Sequence, residues 1–450
     1  MFELVGLLAG LGLLIILALR DVNIIFAAVL CALVVIVTNG LPFAESLTQS
    51  FTIGELGAFT FAGRFFLLFA AGAVFGKIMG DSHAATSIAM ALVKALGAHR
   101  ALWITVLACA LLTYGGVVVF VVIFAMYPLG LRLFSEADIP KRLFCGAIAL
   151  GAGTFTLTAL PGTPSIHNVI PTLKLGTDLF AAPLLGLFGG ALMLGLGMAY
   201  LERERLKAKA AGEGFEPGPR DVIPDYESIA KDVPHWALAA LPLALVILTI
   251  LAPRLAQLAG AEGALVAFAT SQPVLWPSIA LIGASLVAIA LFPAVRKNPL
   301  QTMGLGTQDA IMPLMATSAV IGFGGVVSQT GGFALFVETV VGSPLEPHLS
   351  MFAAASAVSG ITGSSSGGLQ IFMATMADSY LALGIDPEEL HRLVAMASGG
   401  FDSLPHCGAV IAMLQITQLT HKQAYKDVGV VTVLVPVIAT LATIFLAMLT

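Results

Sequence analysis

Six stretches of this chain, residues 3–19, 22–38, 101–124, 181–199, 236–252 and 430–449, are almost wholly apolar, and all but the first lack any Asp, Glu, Lys or Arg. Each approaches the roughly 20 residues that a helix needs to cross a bilayer. Composition agrees: 58% of the 450 residues are hydrophobic and only 10% are charged. A water-exposed surface calls for roughly 25% charged residues, so the solvent for this chain is lipid. The reading is an all-α polytopic membrane protein. The formal net charge of −5 belongs to its loops. No basic, aromatic-interleaved stretch suggests nucleic acid. Cys31, Cys109, Cys145 and Cys407 stand singly, which points to neither a disulfide framework nor a metal cage. Met1-Phe2-Glu3 lacks the basic region of a signal peptide and is expected to open the first spanning helix.

Residues 202–233 break the pattern, with charges from Glu202 to Asp232 interleaved with Pro and Gly. They are read as a solvated cytoplasmic linker between a first half, 1–201, and a second, 234–450. The halves share features in the same order. Leu160-Pro161 and Leu404-Pro405 lie 244 residues apart. The small polar clusters Thr113–Gly116 and Thr362–Gly368 precede them, and the Gly-rich segments Gly72–Gly80 and Gly322–Gly331 come earlier still. Each half is expected to hold five spanning helices and one re-entrant hairpin. The hairpins fall at about 100–133 and 348–382, and the broken helices at about 143–172 and 389–419. An odd number of crossings turns the second half over, giving two inverted repeats. Charge supports this topology. With the linker cytoplasmic and both termini periplasmic, 17 of the 21 Lys and Arg fall inside, leaving Arg64, Lys174, Arg254 and Arg392 outside.

Non-helical backbone at membrane depth survives only where it is buried in protein or lines a cavity. Gly and Pro interruptions at matching places in two halves are therefore the sequence pointer to a transporter's binding site. The tip 362–368 consists of six Gly/Ser residues and a Thr. Thr362, Ser364, Ser365 and Ser366 can offer hydroxyls and amides beside a helix N-terminus, where a carboxylate is favoured. Close helix packing through small residues is the alternative. The shorter first tip offers Gly115 and Gly116. In the first break, Pro161 and Pro164 around Gly162 stop the helix, and Thr163, Ser165, His167 and Asn168 open the next half-helix. In the second, Asp402 and His406 stand four residues apart. Ionisable groups at that depth are functional hypotheses by default, so both are candidates for proton coupling, with His167 third. A structural hydrogen-bonded pair is the alternative for Asp402 and His406. His421, Lys422 and Lys426 are expected as interfacial anchors.

The strings Leu160-Pro161-Gly162-Thr163-Pro164-Ser165-Ile166-His167-Asn168-Val169-Ile170-Pro171-Thr172 and Ser398-Gly399-Gly400-Phe401-Asp402-Ser403-Leu404-Pro405-His406-Cys407-Gly408-Ala409-Val410, with the tail Thr420–Asp427, resemble the gluconate permease family. The resemblance runs the length of the chain. It implies a bacterial inner-membrane proton symporter for gluconate or smaller hydroxy acids such as 3-hydroxybutyrate. It also implies an ion-transporter architecture: an oligomerising scaffold, commonly dimeric, and an elevator-type transport domain built from the hairpins and broken helices. Gluconate-type members carry His-Pro-Gly at the first break where this chain has Leu160-Pro161-Gly162. A smaller hydroxy-monocarboxylate is thus equally open.

The expectation is a secondary transporter that imports a small organic anion, with H+ as coupling ion and no cofactor. Sodium coupling through break carbonyls is the alternative. The chain has no GxxxxGK[ST] loop for ATP and no H-E-x-x-H, so it is not expected to be an enzyme.

Overall fold

The computed structural model describes residues 2–20, 22–117, 119–219, 221, 223, 233–260 and 263–449. Among them all regular structure is helical. The first half runs α1 (Phe2–Leu19), α2 (Ile24–Thr38), α3 (Ala58–Asp81), α4 (Ala84–Leu96), α5 (Ala101–Tyr114), α6 (Val119–Glu136), α7 (Lys141–Gly153), α8 (Ile166–Leu175) and α9 (Pro183–Ala210). The second runs α10 (Trp236–Leu258), α11 (Leu275–Leu291), α12 (Pro299–Val327), α13 (Gly331–Val341), α14 (Pro347–Thr362), α15 (Ser365–Thr375), α16 (Pro387–Ser398), α17 (Gly408–Thr417) and α18 (His421–Ala447). Element order therefore matches between halves: a helix pair, a long helix, a short helix, a hairpin, a broken helix and a closing helix. The short helices α4 and α13, at matching positions, were not anticipated from hydropathy.

Among the described residues, six helical spans are long and apolar enough to cross a bilayer: 43–81, 141–159, 183–210, 236–258, 299–327 and 421–447. Residues 264–271 and 275–291 would form a seventh, bent by 105°. The larger count expected from sequence includes α2, only 15 residues long, and segments interrupted at the breaks.

The helices pack in two groups. α3 lies along α12, with α2 and α11 beside them and α10 against α11. Gly306 permits the α3–α12 approach, since a Cβ there would lie 2.7 Å from the Val74 Cα. The second group interleaves the halves: α15 and α16 pack on α8, α17 on α6, and α18 on α7 and α9.

Most of the described linker residues are exposed, but the segment is also tied to the bundle. Residues up to Ala210 extend α9, and the chain then returns to the end of the bundle. There the Asp221 carboxylate meets Lys141 Nζ at 2.6 Å and accepts from Tyr127, Gln418 and the Gly218 amide. Arg142 bridges Asp427 at 2.5 Å and Glu213 at 2.7 Å. Fixed counter-charges and donors compensate the desolvation of Asp221 and Lys141. Arg220, Asp225, Glu227, Lys231 and Asp232 lie outside the described residues.

Candidate functional site

The second hairpin turns where α14 ends. Gly363 takes the left-handed φ of +59° that closes the helix. Ser364 then caps α15, its Oγ accepting from the Gly367 amide at 3.2 Å. Ser365 and Ser366 supply the first helical amides, which have no intrahelical acceptor. The Thr362 hydroxyl is held at the helix end, within hydrogen-bonding reach of the Val358, Ser359 and Ser364 carbonyls.

In the second break, α16 gives way to a short turn at Phe401–Ser403 before α17 begins. Asp402 is buried and accepts from the Ser403 hydroxyl at 3.1 Å. His406 donates from Nε2 to the Gly360 carbonyl at 3.0 Å and lies on Gly363, where a Cβ would come within 2.7 Å of the ring. The two ionisable groups thus bond to different neighbours. His421, expected as an interfacial anchor, instead donates to the Pro405 carbonyl at 2.8 Å, and Tyr425 donates to the Ser403 carbonyl at 3.1 Å.

At the first break, Ser165 caps α8. Asn168 donates from Nδ2 to the Leu160 and Thr163 carbonyls, at 3.3 and 3.1 Å. Its Oδ1 accepts from Arg392 at 2.7 Å. Arg392, assigned from sequence to the outer side, is wholly buried, and its guanidinium also donates to the Leu179 and Ala181 carbonyls. Sequence reading missed this role. The available signal was an arginine two turns before a helix break, which the rule for intramembrane charges would have flagged.

A cavity of about 250 Å³ opens between the two groups of helices. Thr362, Ser364, Ser365, Ser366, Asp402, His406 and His167 line it, facing Phe69, Pro313 and Thr317 of the α3–α12 group. Seven of the twelve candidate residues therefore share one wall. The others do not. Thr163 and Asn168 turn into the loop they stabilise, with Thr163 Oγ1 accepting from the Ser165 amide at 3.0 Å. Gly115 packs against Leu243. Gly116 and Ser165 line a smaller cavity of about 140 Å³, and Phe69, Val119 and Leu157 border both cavities.

An apolar, membrane-embedded chamber whose polar groups come from a hairpin tip and two helix breaks is the architecture of a transport protein. Comparison with known proteins agrees. The GntP family permease model matches residues 2–449, and the chain belongs to that family. It is a multi-pass membrane transporter, not an enzyme. An uncharacterized transporter of Bacillus subtilis, YxjC, is 38% identical over 461 residues, covering 96% of each chain. The gluconate permease of Pseudomonas aeruginosa is 25% identical over 380 residues, covering 80% of this chain and 78% of the permease. The crystal structure of the Alcanivorax borkumensis YdaH transporter shares the fold, with a TM-score of 0.52 at 15% identity over 86% of both chains.

Proposed function

We propose that this protein imports a small hydroxy-monocarboxylate, of the gluconate or 3-hydroxybutyrate type, by proton symport across the bacterial inner membrane. The observation that carries this reading is the cavity in which the N-terminus of α15 faces a buried aspartate. Its volume, about 250 Å³, is just below the ~300 Å³ low end of drug-sized pockets and suits a small acid. Ser365 and Ser366 offer donors to the substrate carboxylate. Asp402 lines the same cavity, and the turn that carries it packs against α15. An ionised Asp402 thus competes for the donors that an anionic substrate needs, and protonation releases them. That competition couples the two movements. His406 and His167 are the other titratable groups on the wall.

The matched element order supports inverted repeats with both termini periplasmic and the linker cytoplasmic. The division into two packed groups supports a scaffold and a domain that moves as an elevator, and we take the scaffold to be dimeric. Sodium coupling through break carbonyls is the second reading. Against it, the carbonyls of Leu157, Leu160, Pro161 and Thr163 at the first break already accept hydrogen bonds, as do those of Ser403 and Pro405 at the second.

The test is uptake of labelled gluconate, 3-hydroxybutyrate and glycerate into proteoliposomes under an imposed proton gradient without sodium. Concentrative uptake that a protonophore collapses is expected for at least one; uptake only after sodium is added transfers the coupling to the carbonyls. Asp402→Asn should fold but no longer concentrate substrate in response to the gradient. Wild-type accumulation by that variant would remove Asp402 from the mechanism.

A further inference from the structure

His167 is 3% exposed, lines the main cavity, and has no hydrogen-bond partner at Nε2. A buried polar atom without a partner calls for one, and this one belongs to a residue of the cavity wall. Which partner it can take follows from the neighbouring serine. Ser165 has a single hydroxyl hydrogen. The Leu157 carbonyl, 2.8 Å away, can only accept, so it takes that hydrogen. The Ser165 oxygen must therefore accept from the imidazole Nδ1 at 3.1 Å, as it accepts from the His167 amide at 3.2 Å. Nδ1 thus carries a hydrogen, and a neutral ring held this way is the Nδ1–H tautomer. Its Nε2 carries a lone pair.

The surrounding break keeps that lone pair in place. Asn168, the next residue, is fixed on one side by Arg392 and on the other by the Leu160 and Thr163 carbonyls. A carboxylate could not satisfy Nε2, because it has no proton to donate. The geometry points to His167 Nε2 as the acceptor of a hydrogen bond from the transported molecule and, on the transport reading above, on which this inference rests, the donor is the substrate hydroxyl. The two ends of the substrate then meet opposite chemistries: donors at the N-terminus of α15 for the carboxylate, and an acceptor at His167 for the hydroxyl. A site built to bond a hydroxyl discriminates strongly against the analogue that lacks it. His167 is accordingly a specificity determinant.

The experiment compares, in proteoliposomes of the full chain, 3-hydroxybutyrate with butyrate, gluconate with 2-deoxygluconate and glycerate with 3-hydroxypropionate. Wild type should show a KM for the carried hydroxy acid at least about tenfold below that of its deoxy analogue. His167→Phe should raise the former by about the same factor and leave the latter within about twofold, with His167→Gln between them. Retention of the preference in His167→Phe overturns the assignment. So does unchanged KM with loss of accumulation, which would make His167 a proton carrier. A second measurement needs no substrate and covers a variant that fails to fold. The imidazole ¹⁵N spectrum of the wild-type protein, assigned by the resonance missing from His167→Gln, should show the Nδ1–H tautomer, and Nε2–H overturns the inference. Failure of wild type to carry any probe would instead overturn the transport reading, and the tautomer spectrum would still decide whether Nε2 offers a lone pair.

Discussion

A single glycine joins the two halves of the main site. Gly363 has the backbone conformation that ends α14, and it also lies under the His406 ring, where a Cβ would come within 2.7 Å. A side chain in the left-handed region costs about 1–2 kcal/mol from backbone sterics alone, and displacement of His406 adds to it. Gly384 separates these effects. It also has positive φ, at +95°, but a Cβ there meets nothing within 4 Å. Gly363→Ala should lower the melting temperature more than Gly384→Ala, and should alone reduce uptake. Equal effects in both assays would show that contact with His406 is unimportant. The same scale explains why Asn168 looked like a ligand in the sequence and is not one. A buried asparagine has donors and an acceptor to satisfy, and Arg392 with two loop carbonyls satisfies them.

At the scale of elements, the linker is a strap. Asp221 draws together α6 through Tyr127, α7 through Lys141 and the end of α17 through Gln418. Burial alone would raise the Asp221 carboxyl, but bonds from Lys141, Tyr127 and the Gly218 amide prevail and hold it below its ordinary value. Glu213 is likewise lowered, chiefly by its bond to Arg142. A carboxyl depressed in the folded state takes up its proton more readily when unfolded. The strap's contribution is therefore complete above about pH 5 and disappears as pH falls through the depressed folded values. Asp221→Asn leaves Lys141 buried without its counter-charge and should cost about 3–5 kcal/mol. The pair Asp221→Leu and Lys141→Met should recover most of that loss. Thermal melts between pH 3 and 7 test both statements. The wild-type melting temperature should drop at the acid end more steeply than that of the double variant, and parallel curves would count against the strap.

For the whole molecule, the decisive surface is the seam between the two helix groups. Both cavities lie along it. Among the described residues one ion pair crosses it, joining Arg254 of α10 to Asp178 of the loop before α9 at 2.9 Å. Both side chains are about one-third exposed, and such pairs contribute about 0–1 kcal/mol. Arg254→Gln should therefore change the transport rate by no more than about fivefold. Covalent attachment is a different matter if one group must slide past the other. With the native cysteines replaced, Arg254→Cys and Asp178→Cys joined by a short cleavable bifunctional reagent should stop uptake, and cleavage should restore it. Full uptake by the cross-linked protein would rule out sliding along this seam.

The sequence by itself determined the class of protein and the positions of its breaks. Apolar runs, prolines and glycines act locally, so Pro161, Pro164, Pro405 and the small residues at 362–368 mark the interruptions wherever the rest of the chain goes. Hydropathy missed α4 and α13 and gave no sign that carboxylates of the linker pair with residues distant in sequence. Only the tertiary structure decided which polar groups form the site. Thr362, Ser364, Ser365, Ser366, Asp402, His406 and His167 reach one cavity because α15 and α16 pack on α8 across the two halves. Asn168 and Thr163, of the same chemistry, are consumed by the loop. That distinction depends on contacts such as Arg392 to Asn168, which span 224 residues, and no local pattern of residues encodes such a distance.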